Sequence, residues 1–317
     1  MKALRLVLLA LFISGVVLGQ QVTPPQNPAT IAAEKTQTLK VNATLVNTLF
    51  TVADRKGKFV TNLKRDDFRI FEDEKQQQVT AFSNESNLPL SVALLVDTSG
   101  SIRDRLRFEQ EAAIQFFYST MHRGRDRGMV ITFDSLPEIL QDFTDDPEQL
   151  AEAVRRIRAG GGTALYDATH LAITERLSKE SEQRRRVLIL VSDGDDNSSR
   201  LSMTETLDLA QRHNVTIYCI STNTAAHASS KEAERGDKTL KKFSDETGGK
   251  TFFPLRLQDL DLSFTDIGEE LRSQYTIGYS PTRSDDGTFR RIRIEVANRN
   301  YKARSRTGYY SPRSSGS

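Results

Sequence analysis

Four continuous apolar runs, separated by segments of helical spacing, dominate the middle of the chain. A strand buried on both faces of a parallel sheet has this continuous pattern, because helices cover both of its sides. The runs occupy residues 91–96, 129–133, 187–191 and 215–220. Apolar side chains also recur every three or four residues, as at Leu260, Phe264, Ile267 and Leu271. The alternation predicts an α/β fold with a doubly wound, mostly parallel sheet over residues 88–274.

The segments on either side of this region have a β pattern. Ile292, Ile294 and Val296 alternate with charged residues, which is typical of a half-buried antiparallel strand, and 303–310 is a plausible partner for it. Neither flank, 38–86 or 275–310, is long enough for a robust core of its own. We therefore expect the two flanks to pair into one small β-sandwich-like domain, interrupted by the α/β domain.

Three polar stretches lack a packing pattern. Residues 20–37 contain three prolines and are predicted to be a linker. Residues 222–238 are small and polar and are predicted to form a surface loop, and 311–317 a disordered tail.

The N-terminus resembles an export signal. Lys2 and Arg5 precede an apolar run at 6–18, which at 13 residues is too short to span a bilayer comfortably. Val17 and Gly19 suit the −3 and −1 positions of a cleavage site. We expect a signal peptide at 1–19, export to the periplasm or the extracellular space, and no stable membrane span after cleavage. The alternative is an N-terminal membrane anchor.

Composition and charge narrow the class. The chain is 37% hydrophobic and 27% charged with a net charge of +2, typical of a soluble globular protein that has no bulk attraction for nucleic acid. Two arginine groups, one at 184–186 and one at 290–306, are interpreted as an exposed strand face or the flank of a strand. The single cysteine, Cys219, lies in an apolar run and is predicted to be a buried thiol without an intramolecular disulfide.

Oxygen-bearing side chains follow the first apolar run. Asp97, Ser99 and Ser101 occupy alternate positions in the loop between a buried strand and a helix. Ligands of open α/β sheets bind at this carboxyl edge. Carboxylate and hydroxyl oxygens suit Mg²⁺, Mn²⁺ or Ca²⁺.

Two further segments share this placement. Glycines at 160–162 permit close backbone approach before Thr163, which can cap a helix and offer a hydroxyl. Asp193 directly follows the run at 187–191. Asp195 and Asn197 extend it into an echo of a calcium-binding EF-hand loop, but the expected glycine and glutamate are absent from the sixth and twelfth positions. Asp195 and Asp196 are better interpreted as a solvated rim or as the cap of the next helix.

In combination, Asp-x-Ser-x-Ser, Gly-Gly-Thr and Ser-Asp-Gly resemble the von Willebrand factor A family over 88–274. In that family these segments build the metal-ion-dependent adhesion site, MIDAS, in a Rossmann-like domain. The resemblance implies that Mg²⁺ (or Mn²⁺ or Ca²⁺) is held by five residues, some through water: Asp97, Ser99, Ser101, Thr163 and Asp193. It also implies that an Asp or Glu of a partner protein completes the metal shell. The segments 66–73 and 306–310 resemble an exported bacterial subgroup.

The expected function is therefore metal-dependent protein binding or adhesion, without enzymatic activity. A metal-dependent hydrolase or a phosphoryl-transfer enzyme is one alternative, but none of the four histidines lies beside these loops. Residues 160–162 also lack the Gly-Lys-Ser/Thr that completes a phosphate-binding loop. A metal-free structural scaffold is the other alternative.

Overall fold

The structure, a computed structural model, describes residues 45–84, 88–100, 105–223, 230–256 and 259–313, all within the compact unit Ala43–Ser317. The strands are β1 (Val46–Asp54), β2 (Phe68–Glu72), β3 (Lys75–Gln77), β4 (Val79–Ser83), β5 (Leu90–Asp97), β6 (Arg127–Phe133), β7 (Pro137–Thr144), β8 (Arg185–Ser192), β9 (Val215–Ser221), β10 (Thr251–Phe252), β11 (Tyr275–Tyr279), β12 (Phe289–Val296), β13 (Tyr301–Ser305) and β14 (Gly308–Tyr310). The helices are α1 (Leu106–Thr120), α2 (Pro147–Arg155), α3 (Leu165–Leu171), α4 (Met203–Arg212), α5 (Lys231–Thr247) and α6 (Leu260–Leu271).

Six strands form the central sheet, in the order β10-β9-β8-β5-β6-β7. All neighbours are parallel except β7, which pairs antiparallel with β6 at one edge. All eight residues of β5 are buried, as its continuous apolar pattern predicts. Alternate residues of this strand contribute to separate cores, Leu94 to one and Leu95 to the other.

In the part of the chain that the structure describes, three helices cover each face of the sheet. Phe116 of α1, Leu150 of α2 and Phe264 of α6 share the core of one face. Helices α3, α4 and α5 supply the other, with Phe243 of α5 fully buried. The predicted doubly wound, mostly parallel fold is confirmed. None of the helices among the described residues is long and apolar enough to cross a membrane.

The segments before and after the α/β domain form two four-stranded antiparallel sheets. Their orders are β13-β1-β11-β4 and β14-β12-β2-β3, so each sheet combines strands from both flanks. The sheets pack face to face, and the rings of Phe50 and Phe68 lie 4.9 Å apart between them. The predicted β-sandwich made of the flanking strands is therefore part of the fold.

A buried polar network lies inside this sandwich. The Glu72 carboxylate accepts hydrogen bonds from the hydroxyls of Tyr279 and Tyr309, each at 2.8 Å. The guanidinium of Arg290 lies 3.4 Å from the same carboxylate, and its residue is completely buried. The prediction that this arginine group lies on an exposed strand face is therefore wrong for Arg290. Glu72 supplies a counter-charge inside the sandwich, and the local sequence pattern does not reveal it.

Other local predictions also change. The loop predicted at 222–238 is wrong for its second half: residues 231–238 form the first turns of α5, capped by Ser230, whose hydroxyl accepts from Ala233 N at 3.0 Å. Residues 224–229 of this segment lie outside the described residues. Residues 303–310 do not form one partner strand, since β13 pairs with β1 and only β14 pairs with β12. The predicted tail starts later than expected, because Ser311 is buried. The predicted signal peptide and linker lie outside the described residues, as does 314–317.

Candidate metal centre

The first and third loops of the predicted site meet because their strands are neighbours. Strands β5 and β8 pair in parallel with Val96 opposite Val191, so Asp97 and Ser192 end the two strands side by side. The Ser192 hydroxyl donates to one oxygen of the Asp97 carboxylate at 2.7 Å. The backbone N–H of Ser99 donates to the other oxygen at 2.9 Å. Asp193 follows immediately after this contact.

The second loop is joined to both of the others. The N–H of Gly160 donates to the carbonyl of Thr98 at 2.6 Å. The carbonyl of Thr163 accepts from the N–H groups of Asn197 and Ser198, each at 3.0 Å. The segments that carry Asp97, Thr163 and Asp193 are thus held together at the carboxyl edge of the sheet. Ser101 lies outside the described residues.

The start of α3 is capped differently from the sequence prediction. Helix α3 begins after Ala164, and Thr163 does not cap it. The hydroxyl of Ser199 instead accepts from the N–H groups of Tyr166 and Asp167, at 3.0 and 3.1 Å. The Thr163 side chain is therefore not used as a cap.

The loop that carries Asp193 depends on two glycines. Gly194 has a φ of +81°, a backbone conformation that residues other than glycine rarely adopt. The backbone of Gly236 in α5 packs against this loop: a Cβ atom on Gly236 would lie 2.1 Å from the carbonyl oxygen of Asp193. The close approach of α5 fixes the loop, and Gly236 is a positioning residue that the sequence motifs do not indicate.

A second support for Asp193 comes from β9. The side-chain amide of Asn223, just after this strand, donates to the carbonyl of Asp193 at 3.0 Å. Asp237 of α5 orients the amide by accepting from it at 2.8 Å and from the hydroxyl of Ser221 at 2.7 Å. These residues lie 28 or more positions after Asp193, so only the fold reveals their role.

The two acidic residues after Gly194 interact at the rim and at the start of α3. Asp195 pairs with Arg235 at 2.7 Å, with both side chains well exposed. Asp196 accepts from the N–H of Tyr166 at 3.2 Å, at the start of α3. The exposed pair of Asp195 matches the interpretation as a rim, whereas the next helix, α4, is capped by Ser202 and not by Asp196.

The electrostatics of the site suit a divalent cation. Burial raises the pKa of Asp97 to about 6, which the hydrogen bonds from Ser99 and Ser192 oppose and the negative charge of Asp193 reinforces. No group of three or more His, Cys, Asp or Glu residues that could hold a metal ion occurs in the described part of the chain. The predicted set instead combines two carboxylates with hydroxyls, all oxygen donors, which fit Mg²⁺, Mn²⁺ or Ca²⁺. The formal charge of the two carboxylates equals that of a divalent cation, and the hydroxyls add no further negative charge.

A third carboxyl group near the site was not foreseen. Glu109 of α1 is 3% exposed, and neither carboxyl oxygen has a hydrogen-bond partner among the described residues. Burial raises its pKa to about 8; the positive charge of Arg105 opposes this shift, and the negative charges of Asp97 and Asp193 add to it. The sequence does contain a signal, because Glu109 lies seven residues before the buried Phe116, on the apolar stripe of α1.

The fold and this loop arrangement define the class of protein. The family model of the von Willebrand factor type A domain matches residues 92–195, about a third of the chain. The chain therefore contains a von Willebrand factor type A domain, and the matched part holds all three loops. No curated protein matches the chain.

Solved structures share the fold at low sequence identity. Proximal thread matrix protein 1 from the mussel byssus is similar with a TM-score of 0.51 and 15% identity, over 63% of this chain and 51% of that one. A structure of the same mussel protein with zinc in its MIDAS motif gives a TM-score of 0.50 and 15% identity, over 64% and 50%. At this identity the likeness shows the fold alone.

Two bacterial structures are similar as well. The von Willebrand factor type A protein from Catenulispora acidiphila has a TM-score of 0.49 and 13% identity, over 84% of this chain and 75% of that one. The domain from the type V pili tip protein Mfa5 of Porphyromonas gingivalis has a TM-score of 0.46 and 14% identity, over 58% and 95%.

Proposed function

We propose that the protein is a metal-dependent protein-binding or adhesion module and not an enzyme. The observation that carries the proposal is the direct joining of three loops, which brings the segments of Asp97, Thr163 and Asp193 to one edge of the sheet. This edge is where ligands of open α/β folds bind.

The metal would be held by the oxygen donors of these loops. They are Asp97, Ser99, Ser101, Thr163 and Asp193, with Mg²⁺ as the expected ion and Mn²⁺ or Ca²⁺ as alternatives. The bound ion supplies an electrophilic position for an anionic oxygen of the partner, an Asp or Glu side chain. The zinc-occupied MIDAS motif of the mussel protein supports this use of the fold.

Exposed apolar side chains beside the loops favour a protein as the ligand. Leu136 is 70% exposed and follows Ser135, whose hydroxyl accepts from Gly162 N at 3.0 Å. Leu255 is 73% exposed and shares a small cleft with Asn223, the residue that supports Asp193. Large apolar side chains next to a polar centre are typical of protein interfaces.

The positions of His122 and His213 weigh against a hydrolase. His122 contacts Asp126, which binds the first residue of β5, Leu90, at 2.9 Å. His213 ends α4 and accepts, through its carbonyl, from Arg186 at the start of β8. Both histidines thus lie at the sheet edge opposite the candidate metal centre, where they cannot act as a base for its hydroxyls.

We also propose that the protein works outside the cytoplasm, in the periplasm or extracellular space. The support is the positively charged, apolar N-terminus of the sequence with its small residues at Val17 and Gly19. Peptide sequencing of the N-terminus of the protein recovered from its host tests this. A chain that starts at residue 20 supports export with cleavage, and one that retains the apolar run contradicts the cleavage.

Calorimetric titration of Mg²⁺ and Mn²⁺ into the folded chain tests the metal site. We expect saturable binding of the metal to one site. Asp97→Asn should weaken the affinity by at least ~100-fold, because loss of a metal ligand lowers the affinity no less than loss of a residue that supports the ligand. Asp195→Asn is the matched control, because it removes a neighbouring carboxylate that pairs with Arg235 instead. Absent binding in the folded wild type would favour the metal-free scaffold.

The partner chemistry needs a separate experiment. A synthetic peptide array with Asp or Glu at one position, and Asn or Gln in matched copies, is probed with the protein in Mg²⁺ or in EDTA. Binding that requires both the acidic residue and Mg²⁺ supports the proposal. Binding that persists in EDTA, or that ignores the change from acid to amide, overturns it.

A further inference from the structure

A second cavity lies at the opposite edge of the central sheet, between this sheet and the sandwich. Its volume is about 480 Å³, within the range of ~300–1,000 Å³ that small-molecule sites occupy. The start of β8, the end of α4, β1 and β14 bound it. Strand β8 runs from Arg185 at this cavity to Ser192 at the metal loops, so at ~3.3 Å per residue the two places are ~23 Å apart.

The walls of this basic cavity carry a strong excess of positive charge. Its lining includes one acidic residue, Glu182, and five arginines: Arg184, Arg185, Arg186, Arg212 and Arg306. Arg184 pairs with Glu180 at 3.1 Å. The other four form no ion pair within 4.0 Å with any residue that the structure describes.

These four guanidinium groups contact neutral groups instead. Arg186 and Arg306 donate to backbone carbonyl oxygens, at 2.9 and 3.0 Å. The guanidinium of Arg212 lies 3.7 Å above the ring centre of Tyr310. Their contacts orient the guanidinium groups without supplying negative charge.

Arg185 is the most deeply buried member. It is 2% exposed and donates to the carbonyl of Leu271 at 2.6 Å, but its Nε and Nη2 groups have no partner in the described part of the chain. Burial lowers its pKa to about 10, and the positive charge of Arg272 adds to the effect. The negative charge of Asp126 opposes this shift and the guanidinium contacts Leu271 of α6, so the cations that an anion in the cavity would contact are Arg186, Arg212 and Arg306.

We infer that the basic cavity binds an oxyanionic ligand of small-molecule size. Phosphate or carboxylate groups would face the arginines, because the planar guanidinium fork matches their oxygens in a bidentate arrangement. An apolar part of the ligand would contact Leu45, Leu49 and Pro312 on the other walls. This site is independent of the proposed metal centre.

Titrations of inorganic pyrophosphate and of citrate into the full chain test the inference, with binding followed by calorimetry and thermal denaturation. All buffers are freed of divalent metal ions with a chelating resin, because both anions bind Mg²⁺, and sodium chloride of equal ionic strength is the reference. We expect saturable binding of at least one anion, weakened about tenfold or more in Arg212→Gln and in Arg306→Gln. Arg299→Gln, an exposed arginine of the β12–β13 turn, is the matched control and keeps wild-type affinity.

The outcomes separate the two chemistries. Binding of pyrophosphate alone assigns the cavity to phosphate groups, and binding of citrate alone assigns it to carboxylates. If neither anion stabilises the chain more than sodium chloride does, or if Arg212→Gln and Arg306→Gln bind like the wild type, the inference is wrong. Asp97→Asn should bind the anions normally, which keeps this result separate from that of the metal centre.

Discussion

The buried carboxyl group of Glu109 makes the stability of the protein depend on pH in a specific direction. Its pKa rises from 4.5 to about 8 on folding, because burial disfavours the charged form. As pH rises from about 4.5 to 8, the unfolded chain loses this proton before the folded chain does. The contribution of the neutral Glu109 carboxyl group to the stability of the folded chain is therefore intact below pH ~4.5 and is lost progressively up to pH ~8. The free energy of unfolding falls as pH rises through this range.

The expected magnitude follows from the size of this shift. At ~1.4 kcal/mol per pKa unit, the cost approaches ~5 kcal/mol above pH 8, and ~3 kcal/mol of it accumulates between pH 5 and pH 8. Glu109→Gln removes the ionisation while keeping the shape of the side chain. We expect its free energy of unfolding, relative to the wild type, to increase by ~3 kcal/mol between these two pH values.

Urea denaturation of both proteins at pH 5 and pH 8, in EDTA, measures this difference. Comparing the two pH values cancels the constant cost of burying an unpaired amide. Glu111→Gln is the matched control, since Glu111 is 59% exposed and forms a surface pair with Arg107, so its effect stays below ~1 kcal/mol at both pH values. An equal effect of Glu109→Gln at pH 5 and pH 8 would refute the reasoning.

Three further predictions concern the metal loops and the sandwich. Because Asp97 has a raised pKa of about 6, Mg²⁺ must compete with a proton below that value, and calorimetry at pH 5 should show ~tenfold weaker binding than at pH 7; an unchanged affinity would contradict this. Gly236→Ala places a Cβ atom 2.1 Å from the carbonyl oxygen of Asp193, so we expect weaker Mg²⁺ binding and a lower melting temperature, whereas wild-type values would show that the loop moves aside freely. Tyr309→Phe removes a 2.8 Å hydrogen bond to the buried Glu72 carboxylate and should lower the free energy of unfolding by ~2 kcal/mol in urea titrations; a loss below ~0.5 kcal/mol would show that this bond contributes little.

The strand and helix patterns predicted the α/β domain well because its elements are long and strongly periodic. The apolar run at 187–191 lies within β8, and the stripe from Leu260 to Leu271 spans α6. Capping chemistry at α2 is also local, since Asp146 caps the helix and Pro147 begins it. Such signals are read from neighbouring residues, so the sequence carries them in full.

Predictions failed where distant contacts override the local pattern. The polar residues at 231–238 indicated a loop, but Ala233, Gly236 and Leu240 pack against the sheet and its loops and hold α5 there. Arg290 looked like an exposed strand residue, but the Glu72 carboxylate 218 positions away in the chain accompanies it inside the sandwich.

The sequence by itself determined the class of domain and the chemistry available at its carboxyl edge. Apolar periodicity sets which strands are buried, and the residues that follow those strands set the oxygen donors, both over short stretches of chain. Only the tertiary structure decided how the loops are held, through the close approach of Gly236, the amide of Asn223 and the burial of Glu109. It also decided that unpaired arginines from β8, α4 and the last strands share one cavity. These features join residues far apart in the chain, and such proximity depends on the packing of complete elements.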